Sequence, residues 1–353
     1  MLKSKLIYLY PSDSSFIRKD IHFLSEHFVV LEQKVNWTKK SRLIHLFISQ
    51  LFFLVKHFKE VDFIIIMFAG YWSLIPTLFG KLFKKPTFII LGGTDCCSYP
   101  HLNYGSLRKP LLKRAIKWSL ELATKLLPVH ESLVEYEATY DDRCLIKKQG
   151  IKSFFPNLTT TIQTIHNGFD GLFFEYKPNI KQPNTFICVA SVSSKTTFEL
   201  KGIDIIVQLA QLNPSHNFTI IGLSDNILKT IPALKNLHLL NYLTKEHFLK
   251  HLQASEFYLQ LSISEGFPNA LAEAMLCGCI PIGSNATSIP SIIDETGFII
   301  KKRDISEIQS CIEHTTQLDA TAKVNLANKA RNRINEQYSL EKRKASFLTL
   351  LDK

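Results

Sequence analysis

Cysteine is sparse in this chain of 353 residues, with seven in all, and methionine and tryptophan occur three times each. Cys96 and Cys97 are adjacent, and Cys277 and Cys279 are separated by one residue, so no C-x2-C half-site exists and zinc fingers and ribbons are excluded by spacing. So few cysteines in so long a chain also exclude a small disulfide scaffold and fit free thiols in a reducing cytoplasm. No Asp-x-Asp that would call for a divalent ion occurs. Long hydrophobic runs are missing too. Leu43 to Val55 is too short to span a membrane, and Phe63 to Gly80 is interrupted by Gly70, Ser73 and Pro76. Met1 to Pro11 has Lys3 and Lys5 but neither an extended apolar core nor a small-residue cleavage site, so it reads as a first strand and not as a leader. Acid is absent from Gln33 to Lys59, where six Lys/Arg stand.

The chain carries a net charge of +11, which calls for an anionic partner. A nucleic-acid module would show basic loops interleaved with aromatics or a known motif, and neither is present, so no nucleic-acid partner is expected. What remains is phosphorylated substrate or anionic lipid. Arg108, Lys109, Lys113, Arg114 and Lys117 form a second cluster with helical spacing, beside a stripe of Leu112, Ile116 and Leu120. A basic amphipathic face of this kind suits an anionic membrane surface, and equally suits a solvated helix.

The composition is that of a folded protein, 46% hydrophobic and 21% charged, and the length exceeds one ordinary core. Short apolar runs alternate with amphipathic segments. The first series of strands is Leu6–Tyr10, Phe63–Met67, Thr87–Leu91, Leu126–Val129 and Ile162–His166. The second is Phe186–Ala190, Phe218–Ile221, Leu237–Leu240, Phe257–Leu261, Ile280–Ile282 and Phe298–Ile300. Such alternation predicts an α/β fold with doubly wound parallel sheets. The polar stretch Lys177–Asn184, with two prolines, is the natural linker. The expected domains are residues 1–172 and 173–338, with a C-terminal helix over 339–353 returning to the first. Ligands of paired α/β domains lie at the carboxyl ends of the strands.

One stretch concentrates the chemistry, Ser262-Ile-Ser-Glu-Gly-Phe-Pro-Asn-Ala-Leu-Ala-Glu-Ala-Met-Leu-Cys-Gly-Cys-Ile-Pro281. It reads as strand end, loop, helix and next strand. Pro268 suits a first helical turn and Gly278 suits a helix end. The free N–H groups around Asn269, Ala270 and Leu271 then form an anion site fit for a diphosphate, with Glu265 and Glu273 placed to accept hydroxyls on either side. Glu265 and Glu273 resemble the E-x7-E motif of glycosyltransferase family 4, and Glu273-Ala-Met275 and Gly278-Cys-Ile-Pro281 look like its continuation. The resemblance implies a GT-B architecture, two Rossmann-like domains facing across a cleft. It implies a retaining, metal-independent transfer from a nucleotide sugar to a saccharide or lipid-linked acceptor.

Carried over residue by residue, the resemblance gives Glu265 to the transferred sugar, Glu273 to the ribose, and Gly266, Phe267, Pro268, Asn269, Ala270 and Leu271 to the diphosphate. Lys201-Gly202 looks like the family's K-G motif, a cation for the leaving group. The family's preceding Arg is replaced by Ser191, and Lys195 is the candidate substitute. Of the family's His-Asp pair only Asp95 remains, after Gly92-Gly93-Thr94. Lys201, Glu265 and Asp95 are thus the expected catalytic set. Ser12 and Asp13, Gly70, Gly93, His130 and Asn167 are expected at the acceptor side of the cleft, with Asn167-Gly168 read equally well as a plain turn. The family context points to polysaccharide, lipopolysaccharide or capsule assembly by a cytoplasmic enzyme docked peripherally on the membrane. A GT-B scaffold without activity and a nucleotide-sugar epimerase stand as alternatives. Donor base, sugar, acceptor and oligomeric state are not encoded in these motifs.

Overall fold

The computed structural model describes residues 3–34, 37 and 43–352. Lys39, Lys40 and Arg42 of the basic stretch lie outside the described residues. In the first half β1 (Lys5–Tyr10), α1 (Ser15–His27), β2 (Val29–Lys34), α2 (Leu43–His57), β3 (Phe63–Met67), α3 (Tyr71–Leu82), β4 (Thr87–Leu91), α4 (Pro110–Leu122) and β5 (Lys125–Pro128) alternate strictly. A small antiparallel pair, β6 (Tyr136–Glu137) and β7 (Lys148–Gln149), precedes α5 (Ile151–Phe154) and β8 (Thr161–Ile162). The sheet is parallel with order β2-β1-β3-β4-β5-β8. Every side chain of β3 and β4 is buried, as strands covered by helices on both faces require.

The second half runs β9 (Gln182–Val192), α6 (Lys195–Leu200), α7 (Ile203–Leu212), β10 (Asn217–Leu223), α8 (Asp225–Leu228), β11 (Leu237–Leu240), α9 (Lys245–Ala254) and β12 (Ser255–Gln260). It continues with α10 (Asn269–Leu276), β13 (Ile280–Ser284), α11 (Ile289–Ile293), β14 (Phe298–Ile300), α12 (Ile305–Thr316), α13 (Ala320–Gln337) and α14 (Leu340–Leu351). Its sheet is parallel with order β11-β10-β9-β12-β13-β14. Chain direction across the sheet reverses between β9 and β12, and in the first domain between β1 and β3. Loops leaving those strands diverge and open a crevice at the carboxyl edge, the position such sheets use for ligands.

Three expectations need correction. The strand Val29–Lys34 has no counterpart among the expected runs, because it is a half-exposed sheet edge whose sequence alternates weakly. The strand expected over Ile162–His166 is reduced to Thr161–Ile162, although Gln163 and Ile165 still donate to the carbonyls of Leu126 and Pro128. Lys177–Asn184 is no free linker. Its last three residues begin β9, the Asn184 N–H donates to Glu256, and Lys181 Nζ donates to the carbonyls of Leu252 and Ser255.

Helix α14 packs against α1 of the first domain. Arg343 Nε and Nη2 donate to the two carboxylate oxygens of Asp20 at 2.7 and 2.6 Å, and Nη1 donates to the carbonyls of Ile165 and His166. Tyr8 adds its hydroxyl to Asp20 at 3.2 Å. Both charges are buried and each is matched by several hydrogen bonds, the condition under which a buried pair is tolerated.

Candidate active site

The two topological switch points bring the chemistry together. Gly202 adopts φ +70°, and a Cβ on it would strike the Leu261 carbonyl oxygen at 2.4 Å, so the turn after α6 lies directly on the end of β12. The Ile263 N–H donates to the Leu200 carbonyl across the same contact. Lys201 is thereby held over the loop after β12. Its Nζ meets Glu265 Oε1 at 2.6 Å, and Gln260 and Ser262 donate to the same oxygen at 3.1 and 2.7 Å. The Glu265 N–H donates to Thr287. One carboxylate oxygen is thus fixed by three donors, while Oε2 has no donor among the described residues.

Helix α10 starts four residues after Glu265. Pro268 is its N-cap, one position earlier than expected, and supplies no side-chain cap. The N–H groups of Phe267, Asn269 and Ala270 have no partner among the described residues, so this helix end offers open donors to an anion. Leu271 does not join them. It is fully buried and its N–H donates to the Pro268 carbonyl, which corrects its place in the anion-binding set.

Glu273 lies one turn further along α10, at one wall of a cavity of about 580 Å³ that also holds Lys19, Phe174, Lys245 and Phe248. Burial pushes its carboxyl up to about 7, against the opposing pull of Lys19 and Lys245. Lys19 Nζ stands 4.0 Å from Glu273, and burial lowers the Lys19 ammonium below its usual range. Neither lysine stands out in the sequence. Lys19 belongs to α1 and reaches Glu273 only when the two domains dock. Lys245 follows the N-cap Thr244 of α9 and packs over the ring of Phe173 at 3.6 Å.

Other expected residues sit elsewhere. Lys195 is exposed at the first turn of α6 and has no partner among the described residues, and Ser191 bonds the Tyr242 hydroxyl. Asp95 is buried. Its carboxylate accepts from the N–H groups of Ala69, Gly93 and Gly92 at 2.9, 2.9 and 3.2 Å, which fixes the loop after β4. Burial raises its carboxyl, and those hydrogen bonds counter the rise. Gly70 is buried as the N-cap of α3, bonded to Ser73 and covered by Trp72. Asp13 clamps Arg18 with two bonds of 2.6 Å, which holds its carboxyl at about 2, and Ser12 is exposed beside it.

Gly93, with φ +130°, faces the second domain directly. A Cβ on it would lie 3.0 Å from the Cα and N of Gly266. Asn167 joins the domains as well, donating to Asn269 Oδ1 at 2.8 Å, next to the open end of α10. Phe267 fills the same seam, stacked on Phe169 at 5.6 Å and edged by His166 and Tyr338. His130 belongs to this seam too. Its Nδ1 accepts from the Ser132 N–H and its Nε2 meets Ser291 Oγ at 2.6 Å, and burial lowers its pKa to about 4. His130, Glu131 and His166 bring three ligand-type atoms within 4.8 Å of one another. With Nδ1 already accepting, the neutral His130 ring carries its proton on Nε2 and offers a metal no lone pair there.

Residues 174–333 match the model of the glycosyl transferases group 1. That match covers most of the second domain, so this domain is similar to the glycosyl transferases group 1. The N-acetyl-alpha-D-glucosaminyl L-malate synthase of Bacillus anthracis is 29% identical to the chain over 139 residues, which are 37% of this chain and 36% of that enzyme. The aligned stretch therefore spans about a third of that relative's length. Among solved structures, HepE (Alr3699) of Anabaena in complex with UDP superimposes with TM-score 0.73 at 14% identity, covering 98% of this chain and 99% of that one. The sucrose-phosphate synthase of Thermosynechococcus elongatus gives TM-score 0.73 at 12% identity, with 98% of each chain covered. The two domains thus share the GT-B fold of these proteins over nearly the whole length of the chain.

Proposed function

We propose that the protein is a retaining glycosyltransferase that moves a sugar from a nucleotide-sugar donor to a saccharide or lipid-linked acceptor. The observation that carries this reading is the Lys201–Glu265 pair at 2.6 Å beside the uncapped N-terminus of α10. Glu265 Oε2 receives a hydroxyl of the donor sugar. The amides of Phe267, Asn269 and Ala270 take the diphosphate, and Lys201 neutralises the charge that grows on it as the glycosidic bond breaks. Glu273 accepts the ribose hydroxyls at the far side. Lys245, in place of Lys195, supplies the second cation that the Ser191 position lacks. The charges of the donor are met by protein groups, so the reading needs no metal ion. The UDP bound by the Anabaena relative makes a nucleoside diphosphate the natural first ligand.

The acceptor enters from the first domain, over the loops that follow β1 and β3. Contact of that domain with an anionic membrane would bring a lipid-linked acceptor to the cleft. The test is thermal-shift binding of UDP, GDP, ADP and their sugars to the full chain, with Glu273→Ala beside it. Stabilisation by one nucleotide, abolished in Glu273→Ala, is expected and names the base. A folded protein that responds to none of them overturns the reading.

A further inference from the structure

Helices α2, α3 and α4 lie side by side on one face of the first sheet, away from α1 and α14. Helix α2 is anchored by Gln50, whose side chain donates to the Trp72 carbonyl at 2.9 Å, and by buried Leu54. The opposite side of the helix carries Ile44, Ile48, Leu51, Phe52 and Val55, a single stripe at helical spacing. All five are exposed, Ile44 to 77% and Phe52 to 70%. Leu78, Leu82 and Phe83 extend the stripe along α3, and Leu111 and Trp118 continue it on α4. Ten of the seventeen large exposed hydrophobic side chains among the described residues therefore share one face, too concentrated for ordinary surface scatter.

The net charge on that face is positive. Helices α2 and α3 contain no acid, and the single acid of α4, Glu121, is paired with Lys117 at 2.7 Å. Lys81, Lys113 and Arg114 have no acidic partner among the described residues. At the edge of α4 a cavity of about 380 Å³ is floored by Phe154, Phe155 and Leu158 and rimmed by Lys113, Arg114 and Lys117. Across the sheet the pattern is the reverse: Arg343 pairs with Asp20, Lys344 with Glu26 and Arg18 with Asp13. Among the described residues no helix is long and apolar enough to cross a membrane.

We propose that the α2–α4 face is a monotopic docking surface for an anionic bilayer. The α2–α3 stripe enters the acyl boundary, and the cations of α4 take lipid phosphates. An apolar stripe flanked by unpaired cations matches the layered chemistry of a lipid surface, whereas a protein partner or a second copy would have to meet those cations with acids. The inference deepens the proposed function by naming the surface that presents the cleft to a lipid-linked acceptor, but it rests on its own residues.

The test is co-sedimentation of the full chain with phosphatidylcholine vesicles, with and without phosphatidylglycerol, for wild type, Phe52→Ser, Ile48→Ser and the double variant Lys113→Glu, Lys117→Glu. Circular dichroism confirms folding, and each sample is also assayed for nucleotide-induced thermal shift. Wild type binds phosphatidylglycerol vesicles. Loss of Phe52 weakens that binding about tenfold, because a buried aromatic side chain is removed from the lipid. The charge reversal removes the preference for phosphatidylglycerol. No vesicle binding, or binding that the variants leave unchanged, overturns the proposal. So does a concentration-dependent dimer that Phe52→Ser dissolves. The nucleotide response separates this outcome from that of the proposed function, since none of these substitutions touches the donor site.

Discussion

Gly93 and Gly266 meet backbone to backbone across the interdomain cleft, with no room for a side chain on either. A Cβ on Gly266 would stand 1.8 Å from the Gly92 carbonyl oxygen. Gly266→Ala therefore forces the loop after β4 and the loop after β12 apart. Nucleotide binding, built largely on the second domain, is expected to survive in a thermal-shift assay, while sugar transfer falls by about tenfold or more because the cleft no longer closes. Unchanged transfer in Gly266→Ala contradicts the role given to this contact.

Glu273 sets a pH dependence. Burial lifts its carboxyl from the ordinary 4.5 to about 7 in the folded chain. The folded state favours the protonated form, so the stability this gives is full below pH 4.5 and is lost as pH rises towards 7. Above pH 7 the buried carboxylate costs up to about 3 kcal/mol. Glu273→Gln is thus expected to melt higher than wild type at pH 8 and equally at pH 4.5, while losing its response to nucleotide. An equal or lower Tm at pH 8 contradicts the assignment.

His130 works in the opposite direction. Its ring titrates near 4 in the fold against an ordinary 6.5, because burial between the domains disfavours the charged form. The unfolded chain takes up this proton as pH falls through 6.5 and the folded chain does not until about 4, so stability is present above 6.5 and lost across that window. His130→Gln should flatten the stability curve between pH 6.5 and 4, by up to about 3 kcal/mol at the acid end. Denaturant unfolding at several pH values gives the comparison, and parallel curves refute it.

The fold was readable where burial is complete and local. Phe63–Met67 and Thr87–Leu91 are continuous apolar runs because parallel strands between two helix layers face no water, and both boundaries agree with the sequence reading. Val29–Lys34 stayed hidden because an edge strand has one unpaired side and a mixed pattern. Lys177–Asn184 looked like a linker because its partners, Glu256 and the carbonyls of Leu252 and Ser255, lie far away in sequence. In the candidate site the local strand–loop–helix around Glu265 was legible. The sequence position of Asp95 does not reveal that three N–H groups surround its carboxylate. Lys19 was missed because its contact with Glu273 exists only after the domains dock.

The C-terminal helix supplies a test of the packing. Arg343→Met leaves Asp20 charged, buried and without its guanidinium, and is expected to cost about 3–5 kcal/mol. Replacing both partners, Asp20→Leu with Arg343→Met, removes the orphaned charge and should recover most of that loss. Urea unfolding of the two variants decides it, and a double variant no more stable than the single one contradicts the account.

The central claim is that Lys201, beside Glu265 and the open end of α10, receives the diphosphate of a nucleotide-sugar donor. Isothermal titration of wild type and Lys201→Ala with the nucleoside diphosphate chosen by the thermal-shift panel, and with the matching monophosphate, tests it most directly. The account predicts that the diphosphate loses about tenfold or more in affinity in Lys201→Ala, the cost of one charge-assisted hydrogen bond, while the monophosphate binds both proteins alike. Equal diphosphate affinity in the two proteins would contradict it.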